Sequence, residues 1–388
     1  MERSIKLALH KFQQVPKSLQ DPENGYPVAE IPVNLTNLFH HYYLDSYGVT
    51  LPNPDPAQFE YLRFILTTPD FRLSGDGIGA CTDARRHSST ALGQAFCRWF
   101  LHDHLGITYF AHMQQVLNKP PHNAFGGLQL KRIEKGYVPD YVCCRDPENV
   151  FLAEAKGRYT PISFKNKEFN SWRRQFDHVQ ATDKSGTTHK IKGYIVGTRF
   201  ATEEGPERAQ SGLFAEDPES PGDIPLGADA SADFGGTVLA LHYANIATKL
   251  RQHRLAAALQ SGIALDPQMI IQALVWEYRG PVLERRRFVG GFFQTDADTP
   301  VRFTEEKGRY FPNTNSPALN GNRGTFFGLE ESIFRGVVNL ARSHGASRRP
   351  DTLPYTETLP FYSAISTLRD GTIFAPIEFF TVEGGFEV

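Results

Sequence analysis

The stretch GYVPDYVCCRDPENVFLAEAKGR, residues 136 to 158, carries three charged side chains in otherwise apolar runs: Asp140, Glu154 and Lys156. Residues two apart in a strand share a face, so Glu154 and Lys156 project together. Asp140 opens the preceding strand, and a hairpin turning at RDPEN brings its carboxylate beside that of Glu154. Two carboxylates this close repel unless a proton or a cation lies between them. Hard oxygen ligands with room for water suit Mg²⁺ or Mn²⁺, which in turn takes phosphate oxygens. A lysine beside such a pair keeps its charge, orients water and stabilises charge building at phosphorus.

The elements that must position these residues are readable around them. ALGQAFCRWFLHDHLG is a helix with Leu92, Phe96, Trp99 and Phe100 on one face and a stop at Gly106, and the Ser and Thr residues of the preceding LSGDGIGACTDARRHSST are candidate caps. Alternation then predicts three strands, LQLKRIEKG, DYVCC and NVFLAEAKG, joined by turns. KEFNSWRRQFDHVQATD returns to helical spacing through Phe169, Trp172, Phe176 and Val179, and KGYIVGTRF is a strand. The order is helix, three strands, helix, strand, with Asp140 on the second strand and Glu154 and Lys156 on the third.

Pro139-Asp140 followed by Glu154-Ala155-Lys156 resembles the PD-(D/E)xK signature of restriction-endonuclease-like nucleases. Of the four Pro-Asp dipeptides in the chain, only this one has a Glu-x-Lys at suitable spacing. The resemblance extends over about residues 86 to 200 and leaves the flanks unexplained. It implies an αβββαβ core of α/β (α+β) class, with a mixed central sheet flanked by helices. It also implies a divalent-metal-dependent phosphodiesterase, an endodeoxyribonuclease by expectation, with Mg²⁺ or Mn²⁺ as cofactor. Carried over residue by residue, Asp140 and Glu154 are metal ligands, the Ala155 carbonyl is a further ligand, and Lys156 positions or activates water. Many members add an acid on the first helix, where this chain has Gln94. Gln175 and Gln180 resemble a glutamine that some members use near metal or substrate, and Gln175 is the candidate taken.

Charge supports a polyanionic partner locally and not globally. The 388 residues carry a net charge of −2, so no whole-molecule attraction to nucleic acid exists. Residues 126 to 200 hold fourteen Lys or Arg against eight Asp or Glu, whereas residues 201 to 235 hold nine acids against one arginine. Arg158, Lys165, Lys167, Arg173, Arg174 and Gln175 are therefore the candidate contacts to nucleic acid, DNA by expectation with RNA left open. Trp172 lies among them with a spacing that fits core packing better than base stacking.

The remaining sequence divides into a helical N-terminal region over 1–80, the nuclease-like core over 81–200, an acidic loop or linker over 201–235, and an α+β region over 236–388. Helices are expected at NLTNLFHHYYLDSYG, PAQFEYLRFILTT, TVLALHYANIATKLRQHRLAAALQSG and GLEESIFRGVVNLARSHG. Strands are expected at RRRFVGGFFQ and GTIFAPIEFFTVEGG. Four cysteines match neither a disulfide framework nor a zinc spacing and read as reduced thiols. His102 and His104 diverge on a helix, so HDH reads as a helix end rather than a ligand pair, and GDGIG lacks the rest of a phosphate loop. The absence of a long apolar run or signal peptide predicts a cytoplasmic protein without membrane contact. Two alternatives stay open: a catalytically silent subunit of the same fold that binds nucleic acid or a protein, and an interaction protein unrelated to phosphate. By analogy with the superfamily, a homodimer or a partner protein within a bacterial defence or mobile-element system is the expected setting.

Overall fold

A computed structural model of the chain describes residues 2–46, 64–126, 128–218, 228–280, 283, 285–294, 303–306, 309–312, 324–343 and 365–387. The described residues fall into two compact units, the first within Met1–Ser46 and Tyr61–His242 and the second within Tyr243–Val388.

The first unit runs β1 (Glu2–His10), β2 (Glu30–Asn34), α1 (Leu35–Ser46), β3 (Arg72–Leu73), α2 (Thr82–Leu105), β4 (Tyr109–His112), α3 (Met113–Val116), β5 (Gln129–Arg132), β6 (Tyr141–Cys144), β7 (Val150–Arg158), α4 (Lys167–Arg174), β8 (Val179–Thr182), β9 (Thr188–His189), β10 (Gly193–Arg199), β11 (Ala201–Thr202) and β12 (Gly212–Glu216). Its centre is a mixed seven-stranded sheet in the order β2-β1-β12-β10-β7-β6-β4. β7 pairs parallel to β10 and antiparallel to β6, and β1 pairs parallel to β12. β5, β8 and β9 form a separate three-stranded sheet.

Four expectations are corrected here. The N-terminal region is not simply helical: β1 and β2 enter the central sheet, while α1 matches the first helical patch and is capped by Asn34, whose Oδ1 accepts from Thr36 and Asn37. The second patch lies mostly outside the described residues. The strand beside β6 in the central sheet is β4, and LQLKRIEKG, expected there, supplies only β5 of the small sheet. The helix expected over 167–183 stops at Arg174, turns through a 3₁₀ segment at Gln175–His178 and becomes strand β8. The acidic stretch 201–235 is not all loop: GLFAE, composed for burial, is strand β12 between β1 and β10.

Helix α2 begins at Thr82, earlier than expected, so Ser88, Ser89 and Thr90 lie inside it and Cys81 caps it with no side-chain hydrogen bond. It ends as expected at Gly106, in the left-handed conformation with φ 71°. Gly93 and Gly157 let α2 sit directly on β7. A Cβ on Gly157 would lie 1.7 Å from the Ser89 carbonyl oxygen, and one on Gly93 would lie 2.4 Å from the Gly157 nitrogen.

Helix α5 (Ala228–Lys249) spans the unit boundary between His242 and Tyr243. The second unit continues with α6 (His253–Ser261), β13 (Gln272–Tyr278), β14 (Arg287–Gln294), β15 (Phe303–Glu306), β16 (Arg309–Pro312), β17 (Gly324–Glu330), α7 (Glu331–Arg342), β18 (Ser366–Thr367), β19 (Thr372–Pro376) and β20 (Phe380–Glu387). The single helix expected over 237–262 is broken at Arg251, whose φ is 58°. An eight-stranded antiparallel sheet buries Trp276, Tyr278, Phe288, Phe326 and Phe380 in one core. Among the described residues no helix is long and apolar enough to cross a membrane.

Replacing Gly157 by Ala should force α2 off β7, because the contacted atoms are main chain and cannot rotate away. We expect a loss of about 1–3 kcal/mol or more in urea denaturation, with Gly291→Ala, where a Cβ meets nothing within 4 Å, as the tolerated control.

Candidate active site

Asp140 precedes β6, whose first residue Tyr141 pairs with Ala153, so Asp140 continues the register opposite Glu154. Its Oδ2 accepts a 2.9 Å hydrogen bond from the Ala155 N–H. The Lys156 Nζ lies 3.6 Å from that oxygen and in direct ion-pair contact with Glu154 Oε1. The structure thus brings Asp140, Glu154, Ala155 and Lys156 together at the junction of β6 and β7.

Burial differs sharply across the set. Glu154 is fully buried, while the side chains of Asp140 and Lys156 retain 26% and 31% exposure, so the cluster opens to solvent on one side. Burial pushes the Glu154 carboxyl well above the usual carboxylate range, and repulsion from Asp140 adds to the shift, with Lys156 opposing it. Burial works to lower the Lys156 pKa, yet Glu154 and Asp140 outweigh it and the net direction is upward. The carboxylates thus favour the ammonium form of Lys156. Although the ammonium touches Oε1, neither Glu154 oxygen accepts a hydrogen bond of good geometry. Two facing carboxylates, one of them buried with an oxygen that has no partner, form a donor set of the kind a hard divalent cation takes.

The covering elements follow from register. Leu152, Glu154 and Lys156 pair with Gly193, Ile195 and Gly197 of β10 and share their face. A Cβ on Gly193 would meet Phe176 at 2.3 Å, and one on Gly197 would meet Trp172 at 3.2 Å, so α4 and its 3₁₀ extension cover that face. Gln175, three residues after Trp172, is buried with an Oε1 that finds no hydrogen-bond partner. Trp172 packs against Phe169 at a centroid distance of 4.8 Å and belongs to the core.

The candidate nucleic-acid contacts divide. Arg173 is turned inward: its Nε and Nη2 donate to the two oxygens of buried Glu216 at 2.6 and 2.7 Å, and His10 joins the same carboxylate at 2.6 Å. These bonds overcome burial and lower the Glu216 pKa. Arg173 is therefore a clamp between α4 and β12, as bidentate geometry favours, and its fork is not available to phosphate. Arg158 pairs with Glu168 at 3.6 Å. Lys165, Lys167 and Arg174 are exposed.

A groove of about 910 Å³ borders Asp140, lined by Gln94, His112, Gln115, Arg132 and Tyr137 among others. Gln94 does reach the groove, in the place of the first-helix acid. Behind Asp140 stands a network that no local motif announced. Buried Asp45 is 3.2 Å from Arg98 Nη1, 3.2 Å from His112 Nε2 and accepts from the Tyr141 hydroxyl at 2.8 Å. Burial raises the Asp45 pKa, but His112, Arg98 and Tyr141 together hold it down at about 2. Asp45 sits on α1, far from the motif in sequence, and only the packing of α1 on α2 reveals it.

His102 and His104 do diverge. His104 contacts Ser18 and Trp99, and burial lowers its pKa to about 4, so it is neutral and a helix-dipole role does not account for it. His102 and Asp103 meet His41 of α1 with ligand-type atoms within 4.8 Å of one another. His102 Nδ1 donates to Asp103 Oδ1 at 2.7 Å and Asn37 donates to Oδ2 at 2.9 Å, so both helices hold the aspartate. In the GDGIG turn, Gly75, Gly77 and Gly79 all have positive φ, and Tyr159 donates no phosphate-like grip but accepts from Ile78 N–H. Cys97, Cys143 and Cys144 are buried, reduced thiols, and burial raises Cys97 and Cys143 away from thiolate chemistry.

No protein-family model, no curated protein and no solved structure matches the chain.

Because the Glu154 pKa is raised on folding, the stability it contributes is present below the ordinary carboxylate value near 4.5 and is lost as pH rises through the folded value. Glu154→Gln should therefore flatten this part of the pH–stability curve in metal-free protein, measured by urea denaturation from pH 4.5 upward. Mn²⁺ should raise the wild-type Tm, by about 3 kcal/mol of stabilisation at a hundredfold excess over Kd, and should leave the Tm of Asp140→Asn and Glu154→Gln unchanged.

Proposed function

We propose that the protein is a divalent-metal-dependent nuclease that hydrolyses phosphodiester bonds of DNA, with a restriction-endonuclease-like core. The observation that carries the reading is the buried Glu154 carboxylate, short of donors, held opposite Asp140 and against Lys156. With α3 and the strands β5, β8 and β9 of the separate small sheet set aside, the remaining order α2, β4, β6, β7, α4, β10 supports the same reading, since it runs helix, three strands, helix, strand around that cluster.

In this reading Asp140 and Glu154 hold a Mg²⁺ or Mn²⁺, with the Ala155 main chain at their side. When bound, the cation supplies Lewis acidity toward a phosphate oxygen. As an ammonium beside the carboxylates, Lys156 would donate to a phosphate oxygen and stabilise the developing negative charge. The open side at Asp140 and the adjoining groove admit the backbone, while β7 and α4 exclude water from the far side of Glu154. Exposed Lys165, Lys167 and Arg174 are the cations of the original set that remain for phosphate contacts.

A second reading is favoured by Gln94, which lines the groove where an acid is often found: a silent member of the fold that binds nucleic acid without cutting. Incubation of supercoiled plasmid and linear oligonucleotides with Mg²⁺ separates the two. We expect cleavage that EDTA abolishes, complete loss in Asp140→Ala and Glu154→Ala, and a fall of about 10²–10³-fold in Lys156→Ala, all with unchanged circular dichroism. Salt-sensitive binding without Mg²⁺-dependent cleavage would select the silent reading.

A further inference from the structure

The segment leading into Asp140 reads KRIEKGY over residues 131 to 137, and every one of these residues is exposed. Lys131, Arg132 and Lys135 stand against one acid, Glu134, and between them two large apolar side chains face solvent, Ile133 at 52% and Tyr137 at 77% exposure. Exposed rings on a loose loop need no explanation. This strap, however, is tied down along its length. Lys131 and Arg132 pair with Gln180 and Val179 of β8, and the Arg132 N–H donates to Asn118 at 3.0 Å. The Ile133 N–H donates to the His178 carbonyl at 2.9 Å, and His178 Nδ1 donates to the Tyr137 carbonyl at 2.6 Å. Gly136, with φ 141°, brings the main chain so close to the His178 ring that a Cβ would lie 2.7 Å away. The backbone on both sides of the tyrosine is fixed while its ring is left in water. The same tyrosine and Arg132 line the groove that ends at Asp140.

An exposed aromatic ring on an anchored main chain, flanked by cations and beside a groove, is an arrangement suited to a single-stranded polynucleotide: the cations follow the backbone and the ring stacks on any unpaired base. A base within a blunt duplex has both faces already stacked and offers the ring nothing. We propose that strap 131–137 is a stacking platform for an unpaired nucleotide next to the scissile phosphate, which makes the preferred substrate a nucleic acid with a single-stranded stretch. The inference rests on the nuclease reading of the Asp140 site and supplies its substrate class. The strap also explains why the basic helix is so short: β8, which takes over from it, is the strand that anchors the platform.

Fluorescence anisotropy in Ca²⁺ with one labelled oligonucleotide, free or annealed as a blunt duplex, tests the platform. Wild type should bind the single strand more tightly than the duplex. Tyr137→Ala should weaken the single strand by about tenfold to a hundredfold and leave the duplex unchanged, while Tyr137→Phe keeps the wild-type affinity. Lys131→Ala/Lys135→Ala should lower the slope of single-strand affinity against salt. Equal effects of Tyr137→Ala on both substrates, or none on either, overturn the platform. If Mg²⁺-dependent cleavage persists in that case, the nuclease reading stands alone. If the Tyr137-dependent preference appears without any cleavage, the platform stands as a binding surface and hydrolysis falls. Absence of binding to either substrate removes both.

Discussion

A fully buried carboxylate cannot remain charged without a nearby positive partner, and Glu154 lies inside the sheet with a second carboxylate opposite. Taking such a group out of water costs several kcal/mol even after relaxation, roughly an order of magnitude more than an exposed ion pair returns. Folding alone gains nothing from this arrangement, because an apolar residue in its place would pack without that cost. Lys156 answers part of the demand through contact with Oε1, and Oε2 has no hydrogen-bond partner. The residues that shape the first unit can be ordered by how they keep this group where it is.

Two glycines fix the approach of α2 to the end of β7, with main chain against main chain. On the opposite face, glycines of β10 admit Trp172 and Phe176, so α4 and its extension seal the side that carries Glu154. Asp45, Arg98, His112 and Tyr141 compensate one another behind Asp140 and hold the start of β6, the strand that sets the height of the aspartate. Arg173 performs a similar service further out, joining α4 to β12 through Glu216. In the last two cases charges are neutralised by one another inside the scaffold.

The sequence was most legible where physical rules are local. The two-residue period put Glu154 and Lys156 on one face, the RDPEN turn brought Asp140 across, and Gly106 ended α2. It was least legible where partners are distant. The strand β12 reads as acidic linker because its neighbours in sequence are acidic, yet GLFAE is apolar where it meets β1 and β10. LQLKRIEKG and YFAH are both credible strands, and only the pairing of Tyr109–His112 with Tyr141–Cys144 decides which one enters the central sheet. Arg173 looks like a phosphate contact from composition, and nothing near it announces Glu216 forty-three residues later. The network around Asp45 is invisible for the same reason.

The open side combines an exposed, basic approach with a buried carboxylate at its floor. The strap over 131–137 exposes one aromatic ring and three cations on an anchored main chain, and the groove beside it is lined by Asp140. Both features follow from charge and burial and require no further element of the fold. The claim beneath them is that Asp140 and Glu154 together hold a divalent cation. Anomalous diffraction from crystals soaked in Mn²⁺ measures this directly: the account predicts a peak within coordination distance of both carboxylates, with the Lys156 ammonium displaced from Oε1, and the absence of a peak there at saturating Mn²⁺ would contradict it.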